Sequence, residues 1–271
     1  MDNIVVVRGA GDLATGVIHK LHRCNIKVVA LEVSHPTAIR RTVSFCNAVF
    51  EKEMIVEEVK CKLAKDINEV YEILKNGDVP LIVDEKCEIL EQIKPVALID
   101  AIIAKRNIGT KKDMAPITIA LGPGFEAGED VDMVVETKRG HDLGRILYSG
   151  SAAKNTGIPG EIKGYSKERV IHSPKEGIIN NISKIGDYVE KGQVIAVVDG
   201  ENVYATLDGI LRGIIYDKSY VQKGLKIADI DPRKEELQNC YKISDKARCI
   251  AGGVLEALLN MCSKNDINLF K

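Results

Sequence analysis

The chain has 271 residues, of which 45% are hydrophobic and 28% charged, and its formal net charge at pH 7 is −1. This composition is typical of a folded globular protein and excludes wholesale disorder. The nearly balanced charge disfavours a nucleic-acid partner, and no apolar run is long enough to span a bilayer, so we expect neither a nucleic-acid nor a membrane partner.

The first residues, MDNIVVV, contain neither a basic leader nor an apolar run of signal length, which predicts a cytoplasmic location. The seven cysteines are odd in number and form no CxxC pair. That pattern indicates isolated thiols in a reducing compartment rather than a disulfide framework or a zinc site, and no metal is predicted.

Short apolar runs alternate with helical patterns in the N-terminal part of the chain. Helices are predicted at 13–23 and at DINEVYEILKNG (66–77). The predicted strands are IVVV (4–7), KVVALE (27–32), VPLIVD (79–84), PVALIDA (95–101), PITIALG (116–122) and VDMVVET (131–137). Such alternation predicts βαβ units with a mostly parallel sheet, and therefore an α/β, Rossmann-like domain over residues 1–165.

An internal repeat follows. EGIINNISKIGDYVEKGQVIAVVD (176–199) aligns without a gap on DGILRGIIYDKSYVQKGLKIADID (208–231), with ten identities in 24 positions. It predicts a duplicated β unit over 166–232, in which each copy buries the apolar face of the other. The pattern resembles the biotinyl/lipoyl (barrel-sandwich hybrid) domains, whose cofactor is carried by a lysine between the two halves. Because VVDGENVYATLDG (197–209) contains no lysine, neither biotin nor lipoate is expected.

One further helix is predicted in the C-terminal segment, 233–271. ISDKARCIAGGVLEALLNMC (243–262) offers Ser244 as an N-cap and an apolar stripe that needs a partner. The adjacent Gly252 and Gly253 weaken an isolated helix. We therefore expect close packing there, against the N-terminal domain, with a flexible hinge as the alternative.

A glycine turn lies between the first predicted strand and the first helix. Gly9, Gly11 and Ala14 form G-x-G-x-x-A, with Asp12 inside the motif, and Glu32 ends the next strand. In dinucleotide-binding units such glycines let a pyrophosphate approach the helix N-terminus, and the acid accepts a hydrogen bond from a ribose hydroxyl. The alternative is that a tight turn needs glycines whether or not a ligand binds.

Other loops are predicted at the same edge of the sheet, where ligands of open α/β sheets usually bind. Glycines, arginines and a lysine there favour a site for a polyanion, because arginine binds phosphate with two parallel hydrogen bonds. The alternative is ordinary surface charge and turn chemistry. The residues concerned are Arg40, Arg41, Lys105, Arg106, Asn107, Gly122 and Gly124.

No catalytic residue can be assigned from the sequence, and whether the chain is an enzyme is left open. The candidates are His141 in the charged segment ETKRGHDLGR, Asp100 after a strand, and Cys46. Cys46 follows two arginines that could lower the pKa of its thiol.

Several motifs together resemble one protein family, over nearly the whole chain. They are VVVRGAGDLATGV, PTAIRRTVSF, DAIIAKRN, DMAPITIALGPGF, ETKRGHDLGR, NTGIPG, DIDPR and SDKARCIAGGVLEA. The chain is similar in these to the accessory proteins of selenium-dependent molybdenum hydroxylases. The resemblance implies a maturation factor for a hydroxylase of the xanthine dehydrogenase type, with that hydroxylase or its maturation proteins as partners.

Three hypotheses about function follow. In the first, the N-terminal domain of a maturation factor binds a nucleotide or a molybdopterin-type cofactor, a small anionic ligand. In the second, the chain is an NAD(P)-dependent oxidoreductase with Glu32 on the ribose. In the third, it is a non-catalytic scaffold that docks the hydroxylase through its β repeat. A homo-oligomer is compatible with all three.

Overall fold

The structure is a computed structural model that describes residues 3–155, 157 and 160–270. The chain forms two compact units. Met1–Pro36, Ser44–Asn155 and Ile243–Lys271 make up the first unit, and Thr37–Val43 with Thr156–Lys242 make up the second. The NTGIPG motif (155–160) lies partly outside the described residues.

The first unit is built on a large mixed β-sheet. Its strands are β1 (Ile4–Arg8), β2 (Lys27–Glu32), β3 (Glu53–Val56), β4 (Val59–Ala64), β5 (Val79–Val83), β6 (Ala97–Asp100), β7 (Ile117–Leu121), β9 (Met133–Val135) and β10 (Ile146–Leu147), and β8 (Glu126–Ala127) pairs separately with β11 (Gly150–Ser151). The order across the sheet is β10-β9-β7-β6-β1-β2-β5-β4-β3. The inner pairs are parallel, whereas β3 and β10 run antiparallel at the two edges.

Five α-helices lie in the described part of the first unit: α1 (Asp12–Arg23), α2 (Ala48–Glu51), α3 (Ile67–Lys75), α4 (Leu90–Ile93) and α5 (Asp245–Lys264). Helix α1 buries Val17, Ile18 and Leu21 on one face, as their spacing requires. Helix α3 is capped by Asp66, whose side chain accepts hydrogen bonds from the amides of Asn68 and Glu69.

Helix α5 packs closely against α1. Ser244 caps α5 by accepting a hydrogen bond from the Ala247 amide. A Cβ on Gly16 of α1 would lie 2.8 Å from the Cβ of Ala247, and a Cβ on Gly253 would run into the carbonyl oxygen of Gly144. Glycine at these two positions therefore lets α5 approach α1 and the loop before β10.

The second unit contains two antiparallel four-stranded sheets, β12-β19-β17-β14 and β16-β15-β13-β18. The strands are β12 (Val170–His172), β13 (Gly177–Asn181), β14 (Tyr188–Val189), β15 (Val194–Val198), β16 (Glu201–Tyr204), β17 (Gly209–Ile214), β18 (Tyr220–Val221) and β19 (Lys226–Asp231). The two repeat copies exchange strands, since β13 pairs with β18 and β14 pairs with β17. One apolar cluster from both copies fills the space between them.

The predicted architecture, a Rossmann-like domain with a mostly parallel sheet plus a separate barrel-sandwich hybrid domain, is wrong. The large sheet is mixed, with an antiparallel strand at each edge. Helices are few: the connection from β5 to β6 holds the four-residue α4, and that from β6 to β7 only the 3₁₀ turn Lys112–Met114. The second unit is not a separate stretch of chain, because it includes Thr37–Val43.

None of the helices in the described part of the chain combines the length and the apolar composition needed to cross a membrane.

Candidate functional site

Polar groups collect at one edge of the large sheet because its inner strands are parallel. β1, β2, β6, β7 and β9 all end at this edge, which we call the carboxyl edge. The glycine turn, Glu32, Asp100, the Gly122–Gly124 turn and Glu136 follow these strands or end them. In open sheets this edge is where ligands usually bind.

The glycine turn has one closed side and one open side. Gly9 has φ +99°, and a Cβ there would lie 3.1 Å from the Cα of Ile102. Gly11 has φ −70°, and a Cβ there would meet nothing within 4 Å. Gly9 is therefore required for close packing of the 101–110 loop, whereas the space over Gly11 is open.

Helix α1 begins at this turn without a side-chain cap. Gly11 is its N-cap residue, Asp12 opens its first turn and Ala14 is buried beneath it. The amides of a helix's first turn have no acceptor within the helix, and the positive end of the helix dipole adds to their attraction for an anion. The turn itself is rigid, since the Ala10 carbonyl accepts hydrogen bonds from the Cys46 amide and the Thr15 hydroxyl.

Glu32 is bound to the backbone of the protein itself. Its Oε2 accepts a hydrogen bond from the Ala10 amide at 2.8 Å, and its Oε1 accepts one from the Val33 amide at 2.9 Å. Burial raises the pKa of Glu32, against the lowering effect of these two amides. Because each carboxylate oxygen accepts a hydrogen bond from an amide, Glu32 holds the glycine turn in place.

Asp100 belongs to a buried polar cluster. Its Oδ2 accepts a 2.6 Å hydrogen bond from the Thr110 hydroxyl, and the Arg8 guanidinium lies 3.6 Å away and donates to the same hydroxyl at 2.8 Å. Burial raises the pKa of Asp100, while Thr110, Ile102 and Arg8 lower it. The cluster ties the 101–110 loop to the sheet, and its polar groups bind one another.

Lys105, Arg106 and Asn107 lie on this loop. Lys105 and Arg106 are exposed, whereas Asn107 holds the loop by accepting hydrogen bonds from the amides of Gly109 and Thr110. A Cβ on Gly124, where φ is +111°, would lie 2.5 Å from the Arg106 backbone. Gly122, at φ +71°, packs in the same way against Thr137. These glycines therefore serve contacts between loops.

Lys246 and Glu136 are two residues of this edge that the sequence did not single out. Lys246, in the first turn of α5, is half-buried. Burial lowers its pKa, Arg139 lowers it further, and Asp12, Glu136 and Asp245 raise it. The buried Glu136 accepts hydrogen bonds from the amides of Thr137, Lys138 and Ala153, each at 2.7 Å. A lysine in the first turn of a helix opposes the helix dipole, a signal that could have identified Lys246.

The other predicted site residues lie elsewhere or have other contacts. Arg40 and Arg41 belong to the second unit, where Arg40 donates to the carbonyls of Asn239 and Lys242 and Arg41 donates to that of Ile214. Cys46 is buried, and His141 is exposed on the 139–145 loop.

Among the residues that the structure describes, no group of three or more His, Cys, Asp or Glu side chains is placed to hold a metal ion.

Comparison with known proteins found one relative of high identity. The chain is 50% identical over 256 residues to the uncharacterised protein YqeB of Escherichia coli K12; the match covers 94% of this chain and 47% of YqeB. The chain thus spans about half the length of the curated relative that it matches. No family model matches the sequence.

Solved structures show only weak likeness. An aspartoacylase family protein of Mesorhizobium loti is 11% identical, with 85% of each chain covered and a TM-score of 0.27. A succinylglutamate desuccinylase of Silicibacter is 10% identical, with 84% of each chain covered and a TM-score of 0.25. These TM-scores are too low to support any conclusion on fold or activity.

These findings correct the sequence-based identification. The relative that they identify is the uncharacterised YqeB, and nothing in them points to a selenium-dependent molybdenum hydroxylase system. The predicted family is wrong, and so are the maturation role and the scaffold for the hydroxylase. The oxidoreductase alternative fits the comparisons no better.

Proposed function

We propose that the first unit binds a small anionic molecule at the carboxyl edge, between the first turn of α1 and Lys246. The observation that carries this proposal is Lys246 itself, a half-buried cation whose pKa is lowered and whose ammonium group has no hydrogen bond or ion pair among the described residues. Half-buried lysines with a lowered pKa are concentrated at functional sites.

Two helices begin at this place. Asp12 of α1 and Asp245 of α5 both lie within electrostatic range of Lys246. The positive ends of two helix dipoles therefore meet beside the lysine, and the Gly11 turn leaves space in front of α1. A bound anion would accept hydrogen bonds from α1 amides and from the Lys246 ammonium group.

Two of the nearby carboxylates, those of Glu136 and Asp245, already have other partners. Glu136 accepts hydrogen bonds from three backbone amides. Asp245 accepts a 2.7 Å hydrogen bond from the backbone amide of Lys246 and forms a 3.3 Å ion pair with Arg139. Hydrogen bonds from backbone amides hold the Glu136 carboxylate in place and offset part of its negative charge.

The experiment is a binding titration of the full chain with sulfate, inorganic phosphate and succinate at constant ionic strength, by calorimetry. The three probes distinguish tetrahedral oxyanions from carboxylates. We expect at least one to bind saturably, and Lys246→Gln to weaken its binding about tenfold or more, the loss typical of one charge-assisted hydrogen bond. Lys264→Gln, at the far end of the same helix, is the matched control. Equal affinities of Lys246→Gln and the unmodified protein, or no saturable binding, would contradict the proposal.

We also propose a cytoplasmic location, supported by seven cysteines that are odd in number and form no CxxC pair, because thiols persist in reducing compartments. Cell fractionation tests it, and recovery of the protein outside the cytoplasmic fraction would contradict it.

A further inference from the structure

The two copies of the β repeat differ sharply in exposure at equivalent positions. Ile178 is 39% exposed, but its counterpart Ile210 is 5% exposed. Four residues further on, Ile182 is 60% exposed, whereas a bulge in β17 turns its counterpart Ile214, which is 1% exposed, into the apolar cluster between the two copies. The outward face is therefore covered at Ile210 in the second copy, whereas it is uncovered at Ile178 in the first, where Ile182 is exposed as well.

Segments of the second unit itself cover the second copy. The Ile39 carbonyl lies so close to Gly213 that a Cβ there would be 2.8 Å from its oxygen, and Arg41 Nε donates a 2.8 Å hydrogen bond to the Ile214 carbonyl. The 3₁₀ segment Lys234–Tyr241 also contacts β17.

Sequence differences between the copies make the exposed face more apolar. In the second copy Arg212 and Asp229 form a salt bridge, and at the equivalent positions the first copy has Asn180 and Val197. Asn180 pairs with Val197 across the strands, and Ile178 pairs with Tyr220. We define the uncovered face as the set of Ile178, Ile182, Val197, Tyr204 and Tyr220.

We propose that a second copy of this chain covers the uncovered face, in a two-fold symmetric dimer. Apolar and aromatic side chains are typical of homodimer interfaces, which are more apolar than the rest of a protein surface. A two-fold axis places the same patch on both partners, so the patch must complement itself.

The charges around the uncovered face meet this requirement. Lys175 donates to the Asp199 carbonyl, Asp199 accepts from the Ile178 amide, and Lys218 contacts the Asn180 side chain. Both signs therefore border the patch, and two identical copies need not bring like charges together. A partner whose contact surface carries charges of mainly one sign would not be complementary to this mixed charge pattern.

Sedimentation equilibrium of the full chain over a range of concentrations tests the proposal. We expect a mass of about twice the 29.7 kDa of one chain. Ile182→Lys and Tyr220→Lys should each raise the dimer dissociation constant at least about tenfold, because each buries an ammonium group in the interface. Ile55→Lys, at a 54% exposed position of β3 in the first unit, is the matched control and should leave the constant unchanged.

Circular dichroism melting of each variant shows whether it is folded. The substitutions replace exposed side chains, so their melting temperatures at a concentration where all variants are monomeric should agree. A monomeric unmodified chain at roughly 100 µM, a concentration that would populate any dimer of micromolar affinity, would overturn the proposal. So would a dimer that tolerates both substitutions, or one that Ile55→Lys disrupts equally; a different protein bound to this face of a monomeric chain counts against it too.

Discussion

Gly253 of α5 lies against the carbonyl group of Gly144, with no room for a Cβ between them, whereas the neighbouring Gly252 has nothing within 4 Å of an added Cβ. Gly253→Ala should therefore destabilise the protein by roughly 2 kcal/mol or more, as overpacking against rigid backbone does. Gly252→Ala should stabilise it by about 0.5–1 kcal/mol through helix propensity. Urea unfolding of both variants measures the difference, and equal effects of the two would contradict the close approach.

The two ends of the glycine turn should respond differently to alanine. Gly9→Ala requires a Cβ at φ +99° and 3.1 Å from Ile102, so we expect a loss of about 1–3 kcal/mol in unfolding free energy. The Cβ that Gly11→Ala adds contacts no atom, and the φ of −70° is allowed for alanine, so the unfolding free energy should change by less than about 1 kcal/mol. The added methyl group narrows the open space over position 11. Urea unfolding and the anion titration together check this, and a strongly destabilised Gly11→Ala would show that the space is filled.

Glu57, at the tip of the β3–β4 hairpin, links this hairpin to α5. It accepts hydrogen bonds from the Ile243 amide and from Arg248. Burial raises its pKa, but Ile243, Arg248 and His19 outweigh burial, so its pKa is lowered below the ordinary value. The pKa of Glu57 is therefore lower in the folded protein than in the unfolded chain. Its ionised carboxylate stabilises the fold at pH values above the unfolded pKa, and this stabilisation is lost as the pH falls through the folded pKa.

Glu57→Gln should therefore reduce the unfolding free energy by about 1–2 kcal/mol at pH 7, and by little at a pH below both pKa values. The exposed neighbour Glu58 is the matched control. Urea unfolding of Glu57→Gln and Glu58→Gln across this pH range distinguishes the two. The same loss for Glu57→Gln at all pH values would show that charge plays no part.

Lys246 should lose its charge at a lower pH than an ordinary lysine. Burial lowers its pKa, and the guanidinium of Arg139 lowers it further. Arg139→Gln removes that like charge and frees Asp245 from its ion pair, so both effects raise the pKa of Lys246. If anion binding needs the ammonium form of Lys246, binding is lost as the pH rises. The midpoint pH of this loss should be higher in Arg139→Gln than in the unmodified protein. An unchanged midpoint would show that the charge of Lys246 does not control anion binding.

Local patterns in the sequence predicted much of the secondary structure. The six apolar runs became β1, β2, β5, β6, β7 and β9, and the predicted Ser244 cap is confirmed by its hydrogen bond to the Ala247 amide. The β3–β4 hairpin was missed, because its strands are short and alternate with lysine and glutamate, which favour no strand by composition.

The site was less predictable, because contacts distant in the sequence decide it. Glu32 was correctly placed at the end of a strand, but only the fold shows that the Ala10 amide takes its Oε2. Arg40 and Arg41 follow β2 in the sequence, yet they belong to the second unit, with partners some 170–200 residues away. Lys246 reaches the carboxyl edge through the packing of α5 on α1, which no local pattern encodes.

The most direct test of the anion site follows backbone amides in ¹⁵N-labelled protein as sulfate, phosphate or succinate is added. With the anion that binds, the amides of Gly11, Asp12 and Leu13 should shift saturably, and this response should be kept in Lys264→Gln and lost or strongly weakened in Lys246→Gln. The start of α3, whose amides are already capped by Asp66, supplies an internal control that should not respond. Shifts at α3 as large as those at α1, or no saturable shift at Gly11, Asp12 and Leu13 with any of the three anions, would contradict the account.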